Sequence, residues 1–145
     1  MNAVRRSLTA AVMIVAVSVS ACGGDAEQAV AEARDRAAEL GDDISSAVDS
    51  ARQEIKDAGE AATEVNEALD DAKQAGQDAR DALDEAATNA GDEANQRLED
   101  ARQALQDAEA KLEQVKDSAP ESVQNVIDDV RSQLAELREQ VDQAL

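Results

Sequence analysis

The sequence predicts an all-α fold: extended amphipathic helices packed in a coiled-coil-like way around a thin, Ala-rich core. Three observations predict it. From residue 26 onward apolar side chains recur every three or four positions almost without a gap, and no stretch shows the two-residue alternation of a strand. Alanine, the best helix former, supplies most of the 43% hydrophobic fraction. A single Pro interrupts the 145 residues. Bulk is scarce: beyond residue 24 there are 20 Leu, Ile and Val in 121 residues and no aromatic side chain. Such a chain makes helices readily but has little with which to build a thick core.

Residues 1–21 read as an export signal. Arg5 and Arg6 form a positive start, and Leu8 to Val19 form an apolar stretch broken only by Thr9 and Ser18. Small residues follow at Ser20 and Ala21. The stretch is shorter than the roughly 20 apolar residues a membrane-spanning helix needs. Arg5-Arg6 also prompts a twin-arginine reading, which the flanking residues fit poorly. The run Val19-Ser20-Ala21-Cys22 resembles the lipobox of bacterial lipoproteins, with an apolar residue at −3, small residues at −2 and −1, and Cys at +1. Val at −3 is a departure from the commoner Leu. The resemblance covers residues 1–24 and implies lipid attachment to the Cys22 thiol, cleavage between Ala21 and Cys22, and acylation of the new amine. The alternative is an ordinary signal peptide cleaved near Ala21, which leaves a free thiol on the only Cys. Residues 22–24 are then the lipidated Cys and a Gly-Gly tether. Cleavage removes both leader arginines and no acid, which takes the formal charge from −19 to −21. In an organism with two membranes, the lipoprotein resemblance makes Gly23, which is not Asp, favour the outer one; the Ala- and Asp-rich style also looks like lipoproteins of high-GC bacteria with one main membrane, and both readings stay open.

Residues 25–91 are expected as an Ala-rich acidic helical rod. One apolar series runs Val30, Ala37, Ile44, Ala51, Ala58, Val65, Ala72, Ala79 and Ala86; its partner runs Val48, Ile55, Ala62, Leu69, Gly76, Leu83 and Ala90. The mean step over the mature chain, about 3.56 residues, lies between a coiled coil and a straight helix. The phase slips near residue 48, between 86 and 98, and near 119–123. Breaks are expected at Leu40-Gly41-Asp42-Asp43, at Thr88-Asn89-Ala90-Gly91-Asp92 with Gly91 closing one helix and Asp92 capping the next, and at Ser118-Ala119-Pro120-Glu121 as a capping box. Gly59 and Gly76 lie inside the pattern, where each costs about 1 kcal/mol relative to Ala.

Residues 92–145 are expected as a better-packed helical pair with a break near 118–120. They hold most of the bulk: 11 large aliphatics fall in residues 105–145, against 9 in residues 25–104. An antiparallel hairpin and self-association with another molecule are both open to them. As one straight helix, the mature chain would reach about 180 Å. A nine-residue element recurs as SARQEIKDA at 50, DAKQAGQDA at 71, DARDALDEA at 78 and DARQALQDA at 100, without a fixed period. Glu32–Arg36, Glu93–Arg97 and Asp107–Lys111 are spaced for favourable i,i+4 ion pairs.

The composition excludes more than it assigns. With no His there is no imidazole base, metal ligand or pH switch, and with no aromatics there is no stacking platform or aromatic anchor. The 33 acids against 14 bases repel phosphate backbones, so no nucleic-acid partner is expected. The pairs Asp42-Asp43, Asp70-Asp71 and Asp128-Asp129 lack the spacing of a calcium loop. Neighbours on a helix also point about 100° apart, so neither metal nor catalytic residues nor a cofactor are expected. The Ala/Glu/Asp/Gln helices look, in composition only, like apolipoprotein helices, desiccation-protein repeats and small murein-type lipoproteins. The chain ends Asp-Gln-Ala-Leu, without the basic residue that links the murein lipoprotein to cell wall.

The functional expectation is a lipid-anchored, non-catalytic spacer or scaffold on the extracytoplasmic face of a bacterial membrane. Its partners are the membrane, through lipid on Cys22, and another copy or protein through the C-terminal helices, with no small-molecule substrate. The alternatives are an apolipoprotein-like binder of lipid surfaces and a conditionally disordered stress protectant.

Overall fold

The computed structural model describes residues 25–57, 62–89 and 91–145, and these are helical almost throughout. Among the described residues four helices follow one another: α1 (Asp25–Asp57), α2 (Thr63–Thr88), α3 (Asp92–Lys116) and α4 (Glu121–Ala144). α1 packs on α2 and α4, α3 packs on α2 and α4, and α2 also touches α4 across the diagonal. Ion pairs fix the directions. Arg34 meets Asp84 and Arg52 meets Asp70, so α1 and α2 are antiparallel. Arg97 meets Glu85 and Lys111 meets Asp71, so α3 reverses again. Arg102 meets Asp142 and Lys116 meets Asp128, which reverses α4. The result is an up-down-up-down four-helix bundle.

The sequence left rod and folded bundle open, and the chain takes the bundle. The segment 25–91, expected as a rod, is two helices packed side by side. α1, the longest at 33 residues, spans about 50 Å rather than 180 Å. Folding also redistributes the bulk. α4 lies on α1 and α3 on α2, so the Leu, Ile and Val of the C-terminal half seal the Ala-rich N-terminal half instead of only one another. Ile44, Leu69, Leu83, Leu98, Leu105, Ile127, Leu134 and Leu137 are all fully buried.

The seam read from the sequence is the core. Ala37, Ile44, Ala51, Val65, Ala72 and Ala79 of the first series are buried, as are Val48, Ile55, Leu69, Gly76 and Leu83 of the second. Between α2 and α3 the contact is largely alanine on alanine: Ala68, Ala75 and Ala82, seven residues apart, line the flank of α2 nearest α3, and Ala101 and Ala108 are buried on α3. Gly76 allows a similarly close approach on the other side of α2, where a Cβ would stand 3.4 Å from Ile44 Cδ1.

The breaks differ from expectation in four places. α1 runs straight through Gly41, which is buried against the aliphatic part of Arg80. Burial of Ala37, Ile44 and Val48 on either side outweighs the roughly 1 kcal/mol that Gly costs in a helix. Gly91 does not close α2: Asn89 is its C-cap, and Gly91, in extended backbone at φ 175°, is the N-cap of α3 with Asp92 as the first helical residue. The capping box at Ser118 does not form either. Pro120 is the N-cap of α4 and Glu121 its first residue, while Gln124 Nε2 donates back to the Ala119 carbonyl at 3.1 Å. The turn from α1 to α2, between Asp57 and Thr63, falls where no break was expected.

Candidate functional site

The sequence-assigned positions, Cys22 with the Ala21–Cys22 cleavage point, lie outside the described residues. What the helices present is an acidic, polar surface. Leu145, at 46% exposure, is the one large hydrophobic side chain exposed among the described residues. The apolar positions of α3 and α4 are covered by α1 and α2. Among the described residues no helix is long and apolar enough to cross a membrane, and no three Asp, Glu or Cys side chains cluster so as to hold a metal ion.

The cations are used to join helices. Of the three i,i+4 pairs expected, only Glu32–Arg36 forms, at 2.7 Å. Arg97 reaches across to Glu85 at 2.6 Å and Lys111 to Asp71, both on α2. A neighbouring helix offers a carboxylate at similar distance while covering the aliphatic stem of the cation, which the i,i+4 geometry does not. On the α1–α2 face, Lys73 meets Asp49 at 3.1 Å and Arg80 meets Asp42 at 3.0 Å, beside the Arg34 and Arg52 pairs. On the α3–α4 face, Arg102 meets Asp142 at 3.2 Å, Lys116 meets Asp128 at 2.7 Å and Arg131 meets Glu113 at 2.5 Å. Arg138 Nη1 there donates to both carboxylate oxygens of Glu109, at 3.1 and 3.2 Å.

These bridges divide the acidic pairs. Asp70 turns to Arg52 on α1 while its neighbour Asp71 turns to Lys111 on α3, as the 100° step between adjacent residues requires. Asp42 is held by Arg80 and Asp128 by Lys116, with Asp43 and Asp129 left exposed to water. None of the three pairs converges on one point. The hydrogen bond from Lys111 to Asp71, together with the charge of that carboxylate and of Asp107 and Glu67, raises the Lys111 ammonium above its ordinary 10.5.

The recurring nine-residue element has a structural meaning. Its third residue is Arg52, Lys73, Arg80 or Arg102, and each one makes an inter-helix ion pair. Its second residue is a buried Ala, and its sixth is buried Ile55, Gly76, Leu83 or Leu105. In three copies a Gln donates to the Asp four residues on: Gln53 to Asp57, Gln74 to Asp78 and Gln103 to Asp107, at 2.7, 2.7 and 3.0 Å. The element is a packing unit that turns one face inward and one cation sideways.

Two open grooves run between α2 and α3. One, of ≈ 400 Å³, is lined by Glu64, Glu67, Asp71, Lys111 and Gln114 with Ala68 and Val115 at its floor. The other, of ≈ 300 Å³, is lined by Asp78, Asp81, Arg97 and Asp100 over Ala82, Ala101 and Ala104. Neither has the bulky apolar walls that hold a small molecule, and the lining cations, Lys111 and Arg97, are already paired. No family model matches the chain, and neither a curated protein nor a solved structure matches it.

Proposed function

We propose that this chain is a lipid-anchored, non-catalytic scaffold displayed on the extracytoplasmic face of a bacterial membrane. Lipid on Cys22 holds one end, Gly23-Gly24 form a short tether, and α1 begins one residue later. The observation that carries the reading is the separation of tasks along the chain. The lipobox-like run supplies an attachment point, while the bundle keeps its apolar side chains inside and turns a polar, acidic surface outward. Two or three acyl chains on one residue give stable anchoring without help from the protein surface. A folded bundle reaches about 50 Å from the tether, so its part is to present a charged surface near the membrane rather than to bridge a wide gap.

Metabolic labelling with palmitate tests the reading. The account expects label in the full chain and none in Cys22→Ser. An unlabelled wild-type chain overturns the anchor. The rival reading, a lipid-surface binder, requires the buried seam to turn outward. Co-sedimentation with neutral liposomes by a chain without lipid would favour that rival.

A further inference from the structure

The inter-helix ion pairs are not spread evenly around the bundle. Four join α1 to α2 and four join α3 to α4, while two join α2 to α3. Among the described residues none joins α1 to α4, although those helices pack along their length. The side chains explain the gap. On the flank of α1 opposite its α2 contacts stand Leu40, Ala47 and Glu54, seven residues apart. On the flank of α4 opposite Arg131 and Arg138, which reach α3, stand Val126, Gln133 and Gln140 at the same spacing. The one cation on this flank, Arg36, pairs within α1 with Glu32, so the seam has no charge that crosses it. It also carries two of the three buried side-chain atoms without partners among the described residues: Glu54 Oε2 and Gln133 Oε1 accept no hydrogen bond, the third being Arg131 Nε on the α3–α4 side. A buried acceptor left unpaired costs free energy that opening to water recovers.

We propose that the α1–α4 seam is the opening line of the bundle: the molecule parts into two charge-stitched hairpins, α1–α2 and α3–α4, that pivot on their α2–α3 side. Opening exposes the Leu, Ile and Val of both hairpins while each hairpin keeps its four ion pairs. The bundle thereby has a route for uncovering its apolar interior that does not pass through unfolding.

Pulsed electron–electron resonance on spin-labelled pairs in the full chain tests this, with Cys22→Ser so that labels go only to introduced thiols. Ser50→Cys with Asp129→Cys spans the α1–α4 seam, Glu39→Cys with Asp81→Cys spans α1–α2, and Glu99→Cys with Gln143→Cys spans α3–α4. All six positions are exposed, and none of these side chains takes part in an ion pair. As urea is raised, the proposal expects the Ser50–Asp129 distance to gain a long component at concentrations where the other two distances are still single and short. Three distances that lengthen together at one midpoint overturn it, as does lengthening within a hairpin first. Ala47→Lys combined with Gln133→Glu places opposite charges on the seam and is expected to move the α1–α4 transition up to the other two. No movement in a variant that folds overturns the role given to the missing ion pairs. Should that variant not fold, the three unmodified-seam distances decide alone.

Discussion

Gly76→Ala should stabilise the protein. Gly76 lies inside α2, buried, at the close approach of that helix to α1. An added Cβ would stand 3.4 Å from Ile44 Cδ1 and 3.7 Å from Ile44 Cγ2, which is ordinary van der Waals contact, and nothing of the α1 backbone lies nearer than these. Replacing Gly by Ala inside a helix gains about 1 kcal/mol, chiefly by restricting the unfolded chain. Filling the space beside Ile44 adds part of the ~0.8 kcal/mol expected for one buried methyl group. The sum is about 1–1.5 kcal/mol, or a rise in Tm of about 4–6 °C for a domain of this size. Urea unfolding followed by circular dichroism measures it directly. A loss of 0.5 kcal/mol or more, ~2 °C downward, would show that the backbones need the missing Cβ and would refute the packing argument.

Leu134→Ala, at a fully buried position of α4, should cost about 2–5 kcal/mol, read as a lowered urea midpoint by circular dichroism; an unchanged midpoint would mean that α4 is not packed as described. Stability should rise as NaCl is raised from ~0.02 to ~0.3 M, because 33 acids outnumber the cations and their mutual repulsion is screened over a Debye length of about 10 Å; a fall would mean that the inter-helix ion pairs dominate. The Lys111 ammonium is raised in the folded state, so its pairing with Asp71 contributes below the ordinary 10.5 and is lost as pH rises through the higher folded value. The difference in urea midpoint between wild type and Lys111→Met should therefore be constant up to pH 10 and shrink above it, and a difference that grows with alkalinity would contradict the assignment.

The buried seam was legible from the sequence because burial on a helix repeats at a period that Ala, Leu, Ile and Val mark directly. Two of the three turns were legible as well, since the apolar phase slips where α2 gives way to α3 and again where α3 gives way to α4. The turn between α1 and α2 was missed for the same reason. The seven-residue series passes through Ala51, Ala58 and Val65 in phase, so periodicity gives no sign of the break. The sign that was available is local: Lys56 in the last turn of α1 with Gly59 just beyond it is the composition of a helix end. The phase slip at residue 48, by contrast, marks no turn, because α1 buries both series across the broad face it offers to α2 and α4.

The charges were legible only in part. An i,i+4 spacing is visible along a chain, whereas the carboxylates that claim Arg97 and Lys111 lie on another helix, 12 and 40 residues away in sequence. The proposed scaffold role rests on Cys22 and on a surface left polar once the seam is buried, and only the second of these is a property of the folded helices.

The central claim is that one chain consumes its own apolar seam. Small-angle scattering from a soluble chain of residues 25–145 tests it most directly. The account predicts a monomer, independent of concentration, with a largest dimension of about 50–60 Å set by the length of α1. A particle approaching 180 Å, or a mass that doubles with concentration, would contradict it.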